Sequence, residues 1–271
     1  MNIVFDIGGT NMRVAVVRDE EIEDVTKIQT PHESKDMIET LIAIALEKSA
    51  GEKIEAVVGG IPGVISDGTF VFQPPHLAHW IGTSFTPILE ERLGARVRAA
   101  NDMTLIGTGE ANRGAGKGSR IMVYVTVSTG VNGVRVVDGV ADPSTYGSEI
   151  GHQFTPDGEL ESLISGTAVR KKFGIEPKNL DSFDERNTLA DYLAVGLYNS
   201  VLHWSPDTIV LGGSMITGVN PIPLERVEQS LRKRVRTIYP ECPKIKMAEL
   251  GDNGGLIGAA ILASEFMRPA A

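Results

Sequence analysis

Two short stretches combine residue types that could do chemistry. The first is Asp6-Ile7-Gly8-Gly9-Thr10-Asn11, set between the apolar runs Ile3-Val4-Phe5 and Val14-Ala15-Val16-Val17. The first run reads as a strand buried on two faces and the second as a further strand. Asp6 therefore ends a strand with a carboxylate, and paired glycines make the turn. Glycines allow positive φ and close backbone approach, so successive N–H groups can point at an anion. Thr10 adds a hydroxyl and Asn11 an amide. The turn leads into a strand, so it is neither a Walker A loop nor a dinucleotide fingerprint, both of which open helices. From the residues alone it is either a phosphate grip or a plain glycine hairpin with Asp6 as its polar end. The second stretch is Asn101-Asp102, between a strand at 97–100 and a helical pattern at 105–112. It reads as a helix N-cap or as a carboxylate that takes a proton from a hydroxyl. The two are compatible, since a helix N-terminus favours an ionised acid.

The remaining chain must hold these stretches in place. Residues 2–29 read as three strands. Ser34 caps a helix to residue 49 with Met37, Ile38, Leu41, Ile42 and Ala45 on one face, and Gly51 suits its end. A buried strand at 54–58 leads into the loop Gly59-Gly60-Ile61-Pro62-Gly63, and Asp67-Gly68 is a hairpin tip. A helix follows at 87–93. A strand at 121–127 and the turn Ser128-Thr129-Gly130-Val131-Asn132-Gly133 repeat the opening logic. Helices follow at 189–204 and 227–235, the latter with Arg232, Lys233 and Arg234 on a solvated face. A strand at 208–211 ends in Gly212-Gly213-Ser214, and a small-residue helix starts at Gly254. Strands alternating with helices indicate an α/β protein. Taken singly, His152 reads as a structural histidine and Glu161 as a solvated helix residue.

Bulk properties remove several classes. A net charge of −9 over 271 residues argues against a nucleic-acid or anionic-membrane surface. One cysteine, Cys242, excludes an intramolecular disulfide and any multi-cysteine metal site. No signal peptide and no bilayer-length apolar run is visible, so a cytoplasmic enzyme is expected.

The ordered motifs resemble the ROK family of bacterial sugar kinases and repressors, within the actin/hexokinase-like ATPase superfamily. They are Asp6-Ile7-Gly8-Gly9-Thr10-Asn11, Gly60-Ile61-Pro62-Gly63, Asn101-Asp102 with Gly109-Glu110, Ser128-Thr129-Gly130-Val131 and Glu149-Ile150-Gly151-His152. Leu160-Glu161 with Ser165-Gly166-Thr167-Ala168, Val210-Leu211-Gly212-Gly213-Ser214 and the stretch from Gly254 to Ala260 complete the series. The resemblance is nearest to glucokinase-like members. It implies a two-lobed, ribonuclease H-like α/β fold with a central cleft. One lobe is expected over 1–110, completed by the C-terminal helix within 254–271, and the other over 111–253. It implies ATP-dependent phosphorylation of a hexose, glucose at the 6-hydroxyl foremost. Asp102 is then the general base, and Gly63, Asn101, Glu149, His152 and Glu161 join it in holding the sugar. Gly8, Gly9, Thr10, Asn11, Thr129 and Gly130 take the phosphates, Gly212 and Gly213 lie near the adenosine, and Asp6 approaches Mg²⁺ through water. Sugar and ATP are the expected partners, without nucleic acid or membrane, and a homodimer is consistent with the family.

Three departures stand out. ROK proteins commonly bind Zn²⁺ through a histidine and a cysteine-rich segment after the Glu-Ile-Gly-His motif. Here His152 leads through Gln153-Phe154-Thr155-Pro156-Asp157-Gly158 to Glu161 without a cysteine, so no zinc is expected and the orientation of His152 becomes a question. The second turn carries Ser128, Asn132 and Val134 in place of glycines, and Met103-Thr104 follows Asp102. These leave two alternatives: a catalytically weak sugar sensor of the same fold, or a kinase for another hexose or N-acetylhexosamine. Repressor members carry an N-terminal helix-turn-helix, whereas here a strand begins at residue 2.

Overall fold

The computed structural model describes residues 1–19, 21–66, 68–72 and 75–267. The chain opens with β1 (Asn2–Ile7), β2 (Asn11–Arg18) and β3 (Glu21–Gln29), then α1 (Ser34–Ser49) and β4 (Ala56–Ile61). The hairpin β5 (Val64–Ser66) and β6 (Thr69–Phe72) precedes α2 (Thr86–Leu93), β7 (Arg96–Asn101) and α3 (Asp102–Arg113). Next come β8 (Ile121–Val127), β9 (Val131–Val137), β10 (Val140–Ala141) and a small hairpin of β11 (Phe154–Thr155) and β12 (Gly158–Glu159). Helices α4 (Leu160–Ile164), α5 (Gly166–Phe173) and α6 (Phe183–Trp204) lead to β13 (Thr208–Gly212). The chain closes with α7 (Ser214–Thr217), α8 (Leu224–Val235), β14 (Lys244–Met247) and α9 (Gly254–Met267).

Two compact units result, one from Met1–Gly109 with the chain from Asp252 on, the other from Glu110–Gly251. Each is built on a five-stranded sheet, in the order β3-β2-β1-β4-β7 and β10-β9-β8-β13-β14. In each, three antiparallel strands are followed by two parallel ones. The resemblance between the two glycine turns in the sequence thus belongs to a repeated strand topology.

The first sheet is covered on both faces. Alternation along β1 sends Ile3, Phe5 and Ile7 into a core with Met37, Leu41, Phe70, Trp80 and Phe85, and Val4 into a second core with Leu105 and the Leu256, Ala259 and Ala260 face of α9. In the second unit, Val123, Val125 and Val127 of β8 pack with Leu193 and Leu197 of α6, Leu211 of β13 and Leu231 of α8.

Two local expectations fail for reasons of packing. Ser34 does not cap α1, whose N-cap position is Glu33; its hydroxyl bonds instead to Thr83 Oγ1 at 3.0 Å. Gly59 and Gly60 do not open a loop but continue β4, fully buried. A Cβ at Gly59 would lie 2.3 Å from the Phe5 ring on β1, and one at Gly60 would lie 2.8 Å from Leu105 Cδ1 on α3. These glycines admit neighbours rather than bend the chain. Asp67 of the expected hairpin tip lies outside the described residues, as do residues 268–271 at the end of the expected C-terminal segment.

Gly59→Ala is therefore expected to lower the unfolding free energy by about 1–3 kcal/mol, the usual cost of overpacking. Urea denaturation checks this, and an unchanged midpoint would contradict the close approach of β4 to Phe5.

Candidate active site

In the first unit the candidate residues gather at the C-terminal ends of the parallel strands, where open α/β sheets place ligands. Asp6 of β1 is in register with Gly60 of β4, and Gly60 with Ala100 of β7, so Asn101 and Asp102 emerge one strand beyond. Asp6 is only 8 % exposed. Arg13, directly opposite on β2, approaches its Oδ2 at 3.5 Å through Nη1 and donates through Nη2 to Asp252 at 2.7 Å. Lys27 Nζ also donates to Asp252, at 3.1 Å. Burial pushes the Asp6 carboxyl above its ordinary range; Arg13 opposes the rise and Asp252 adds to it. A buried acid with one distant ion-pair partner is a hard-oxygen donor short of positive charge, and it fits a Mg²⁺ ion approached through water.

The Gly8–Asn11 turn is held from behind. Gly8 N–H donates to Asn11 O at 2.9 Å, Thr30 N–H to Thr10 O at 3.0 Å, and Thr30 Oγ1 to Gly8 O at 2.7 Å. Gly9 and Thr10 remain exposed at its tip. Asn101 is fixed at both ends of its amide: Nδ2 donates to Gly63 O at 3.0 Å, and Oδ1 accepts Met103 N–H at 2.9 Å. Asp102 opens α3, and its Oδ1 also accepts Met103 N–H, at 3.0 Å. The capping reading of Asn101-Asp102 is thus met, with both side chains accepting the same N–H in the first turn of α3. Gly63, whose carbonyl accepts from Asn101, has a φ of 87°.

In the second unit Gly212-Gly213 lies beside the second turn. Ser214 Oγ is 3.2 Å from Ser128 Oγ, and a Cβ at Gly213 would lie 2.4 Å from Val127 O. Helix α5 grips the turn through Gly166 N–H to Ser128 O at 2.7 Å and Thr167 Oγ1 to Thr129 O at 2.8 Å. Glu161 is not a solvated helix residue. Its Oε2 accepts Val131 N–H at 2.7 Å, and a Cβ at Gly130 would meet that oxygen at 2.6 Å. Of the three residues standing in place of glycines, Ser128 reaches Ser214, Asn132 Oδ1 accepts Gly133 N–H at 2.7 Å, and Val134 is buried.

Glu149 precedes and His152 ends a 3-10 turn at Ile150–His152, which packs on the start of β9 because Gly151 offers no side chain against Val131 O. His152 Nε2 lies 3.9 Å from Glu149 Oε2, and its Nδ1 is hydrogen-bonded to Glu159 Oε1. Desolvation raises the Glu149 carboxyl, with His152 opposing and Glu161 adding to the rise. The Glu159 hydrogen bond raises His152.

Sequence reasoning missed Arg13 and Glu159. Each stands seven residues from its partner across a turn, so only the strand register reveals it. A zinc site of the cysteine-rich kind does not fit: the segment after His152 has no thiol, and Cys242 packs at the edge of the second unit's core. Among the described residues, His32, Glu33 and His79 bring possible ligand atoms within 4.8 Å of one another. The two rings stack at 4.5 Å and 11°, which sets their in-plane lone pairs side by side rather than converging. No described helix is long and apolar enough to cross a membrane.

The chain is similar to a glucokinase of Streptomyces coelicolor, 25 % identical over 312 residues that span 98 % of each chain. An N-acetyl-D-glucosamine kinase of Pectobacterium atrosepticum is 26 % identical over 305 residues, 95 % of this chain and 97 % of that one. A solved ROK family glucokinase from Streptomyces griseus, in complex with glucose and AMPPNP, is 25 % identical; the match covers 97 % of this chain and 99 % of that one, with a TM-score of 0.76. The ROK family model matches residues 2–266, and the chain belongs to the ROK family.

Proposed function

We propose that this ROK protein transfers the γ-phosphoryl group of ATP to a hexose, glucose at its 6-hydroxyl being the foremost substrate. The observation that carries this reading is the Asn101-Asp102 corner: a carboxylate at the first position of α3, beside an amide fixed by Gly63 O and Met103 N–H. A sugar hydroxyl is a poor nucleophile until its proton is taken, and one positioned acid suffices. The hydroxyl proton passes to Asp102 as the oxygen bonds to the γ-phosphorus. The bond to the β-phosphate oxygen breaks and ADP leaves. Phosphoryl transfer asks the protein chiefly for positioning and charge stabilisation.

Glu149, His152 and Glu161 are the hydroxyl-reading set, since carboxylates accept and imidazole can do either. The turns at Gly8, Gly9, Thr10 and Asn11 and at Thr129 and Gly130 present backbone and hydroxyl donors to phosphate oxygens, with Gly212 and Gly213 toward the adenosine. Asp6 would hold Mg²⁺ through water, and the ion would neutralise charge on the transferring phosphate. The nucleotide analogue in the Streptomyces griseus relative supports ATP as donor. The N-acetyl-D-glucosamine kinase among the relatives keeps N-acetylhexosamines in the test. A chain with one cysteine and an ATP-dependent reaction suits the cytoplasm.

ADP release from Mg-ATP across hexoses and N-acetylhexosamines is the direct test. One sugar should stand out, and Asp102→Ala should lower its turnover by roughly 10²–10⁴-fold while retaining sugar binding. Near-wild-type turnover would remove Asp102 as the base. Sugar binding without turnover in the wild type would favour the sensor reading.

Asp6 gives a second test, in stability. Its carboxyl titrates higher in the folded chain than in the unfolded one. Its contribution to stability is therefore greatest below the unfolded value and is lost as pH rises through the folded value. Asp6→Asn should raise the thermal midpoint relative to wild type at pH 8, by a margin that shrinks toward pH 4, while abolishing turnover. An equal margin at both pH values would contradict a costly buried charge.

A further inference from the structure

The imidazole of His152 is gripped on the side away from Glu149. The grip comes from Glu159, the last residue of β12, in a hairpin whose strands pair Phe154 with Glu159 and Thr155 with Gly158. That hairpin is tied to α6 at two points. Gln153 Oε1 accepts from Asn199 Nδ2 at 2.7 Å, and Asp157 Oδ2 from the Tyr192 hydroxyl at 3.0 Å. It is closed by Leu160 N–H to Gln153 O at 3.0 Å and by Thr155 Oγ1 to Gly158 O at 2.9 Å. The Glu159 carboxylate is thus delivered to Nδ1 by a braced element. The same segment has no thiol that could hold a metal against the ring.

We propose that Glu159 is a positioning residue for His152: its carboxylate accepts the Nδ1 proton, fixes the plane and tautomer of the ring, and leaves Nε2 to meet a sugar hydroxyl. In place of a metal ion, an acid orients the histidine, by the logic that binds outer partners to working imidazoles. Three acids face the ring, Glu159 at Nδ1, Glu149 toward Nε2, and Glu161 more remotely, and all favour its protonated form. The inference rests on the sugar-reading role given to His152, but the state of the ring can be read without any sugar.

The experiment is ¹⁵N NMR of histidine-labelled protein. The chain has five histidines, and His152→Gln identifies the signals of interest. Above its titration the wild-type ring should carry its proton on Nδ1. Glu159→Ala should shift the neutral ring toward the Nε2–H tautomer and lower its titration midpoint. It should also raise KM for the sugar roughly tenfold with a smaller change in kcat. Glu159→Gln keeps an acceptor without the charge, so it should preserve the tautomer and most of the affinity yet still lower the midpoint. Unchanged His152 signals in Glu159→Ala overturn the proposal, as does a wild-type spectrum altered by a chelator, which would put a metal on the ring. If the alanine variant does not fold, the midpoint in Glu159→Gln decides. A wild type inactive on every sugar, with the nitrogen signals as expected, refutes the kinase reading and leaves the Glu159–His152 contact standing.

Discussion

A carboxylate taken out of water must be given company, and much of the first unit is arranged around one such group. Asp6 ends β1 at 8 % exposure. Arg13 faces it across the β1–β2 pair and shares its guanidinium with Asp252, just before α9. The N-terminal turn of α9 comes so close that a Cβ at Gly255 would lie 2.5 Å from Asp6 Cγ, which brings the positive end of a helix to the acid. Gly258 allows the same helix to rest on α3, where any Cβ would be 1.8 Å from Leu105 O. The final helix therefore meets the meander at the Asp6 charge and α3 one turn further along. Burial still holds the carboxyl above its ordinary range, with Arg13 opposing the rise.

The second unit repeats the strand order but resolves its turn differently. Counting back from the turn, Thr126 stands opposite Asn132 where the first sheet sets Asp6 opposite Arg13. A neutral pair replaces the ion pair, and the turn borrows its acid from α4, whose Glu161 accepts Val131 N–H. One carboxylate thereby touches the glycine turn and acts electrostatically on Glu149 and His152. A carboxylate shared in this way gives the proposed sugar-reading and phosphate-holding segments a common anchor.

Glu110 shows how the second unit is closed where the chain enters and leaves it. It is 1 % exposed, and its carboxylate accepts Ala115 N–H at 2.9 Å, Glu249 N–H at 3.0 Å and Leu250 N–H at 2.9 Å. Backbone donors that satisfy a buried carboxylate make it an ordered clamp. Gly109-Glu110 belonged to the motif series in the sequence, and the clamp supplies a structural reason for the acid.

The sequence by itself determined what short-range physics controls. The continuous apolar run before Asp6 specifies a strand buried on two faces, as β1 is, and the paired glycines after it specify a tight turn. The amphipathic face of α1 and the small-residue face of α9 follow from helical spacing, and the order of the motifs was enough to indicate the family. Tertiary structure alone decided why Gly59 and Gly60 are glycines, since Phe5 and Leu105 come from other elements. It also decided where the Ser34 hydroxyl goes, and it turned Glu161 from a surface residue into a partner of Val131. The pairings of Arg13 with Asp6 and Glu159 with His152 depend on strand register across a turn. In such hairpins the turn's conformation and length fix the register, and a shift of one residue would send every side chain to the other face, so residue type alone did not reveal which side chains meet.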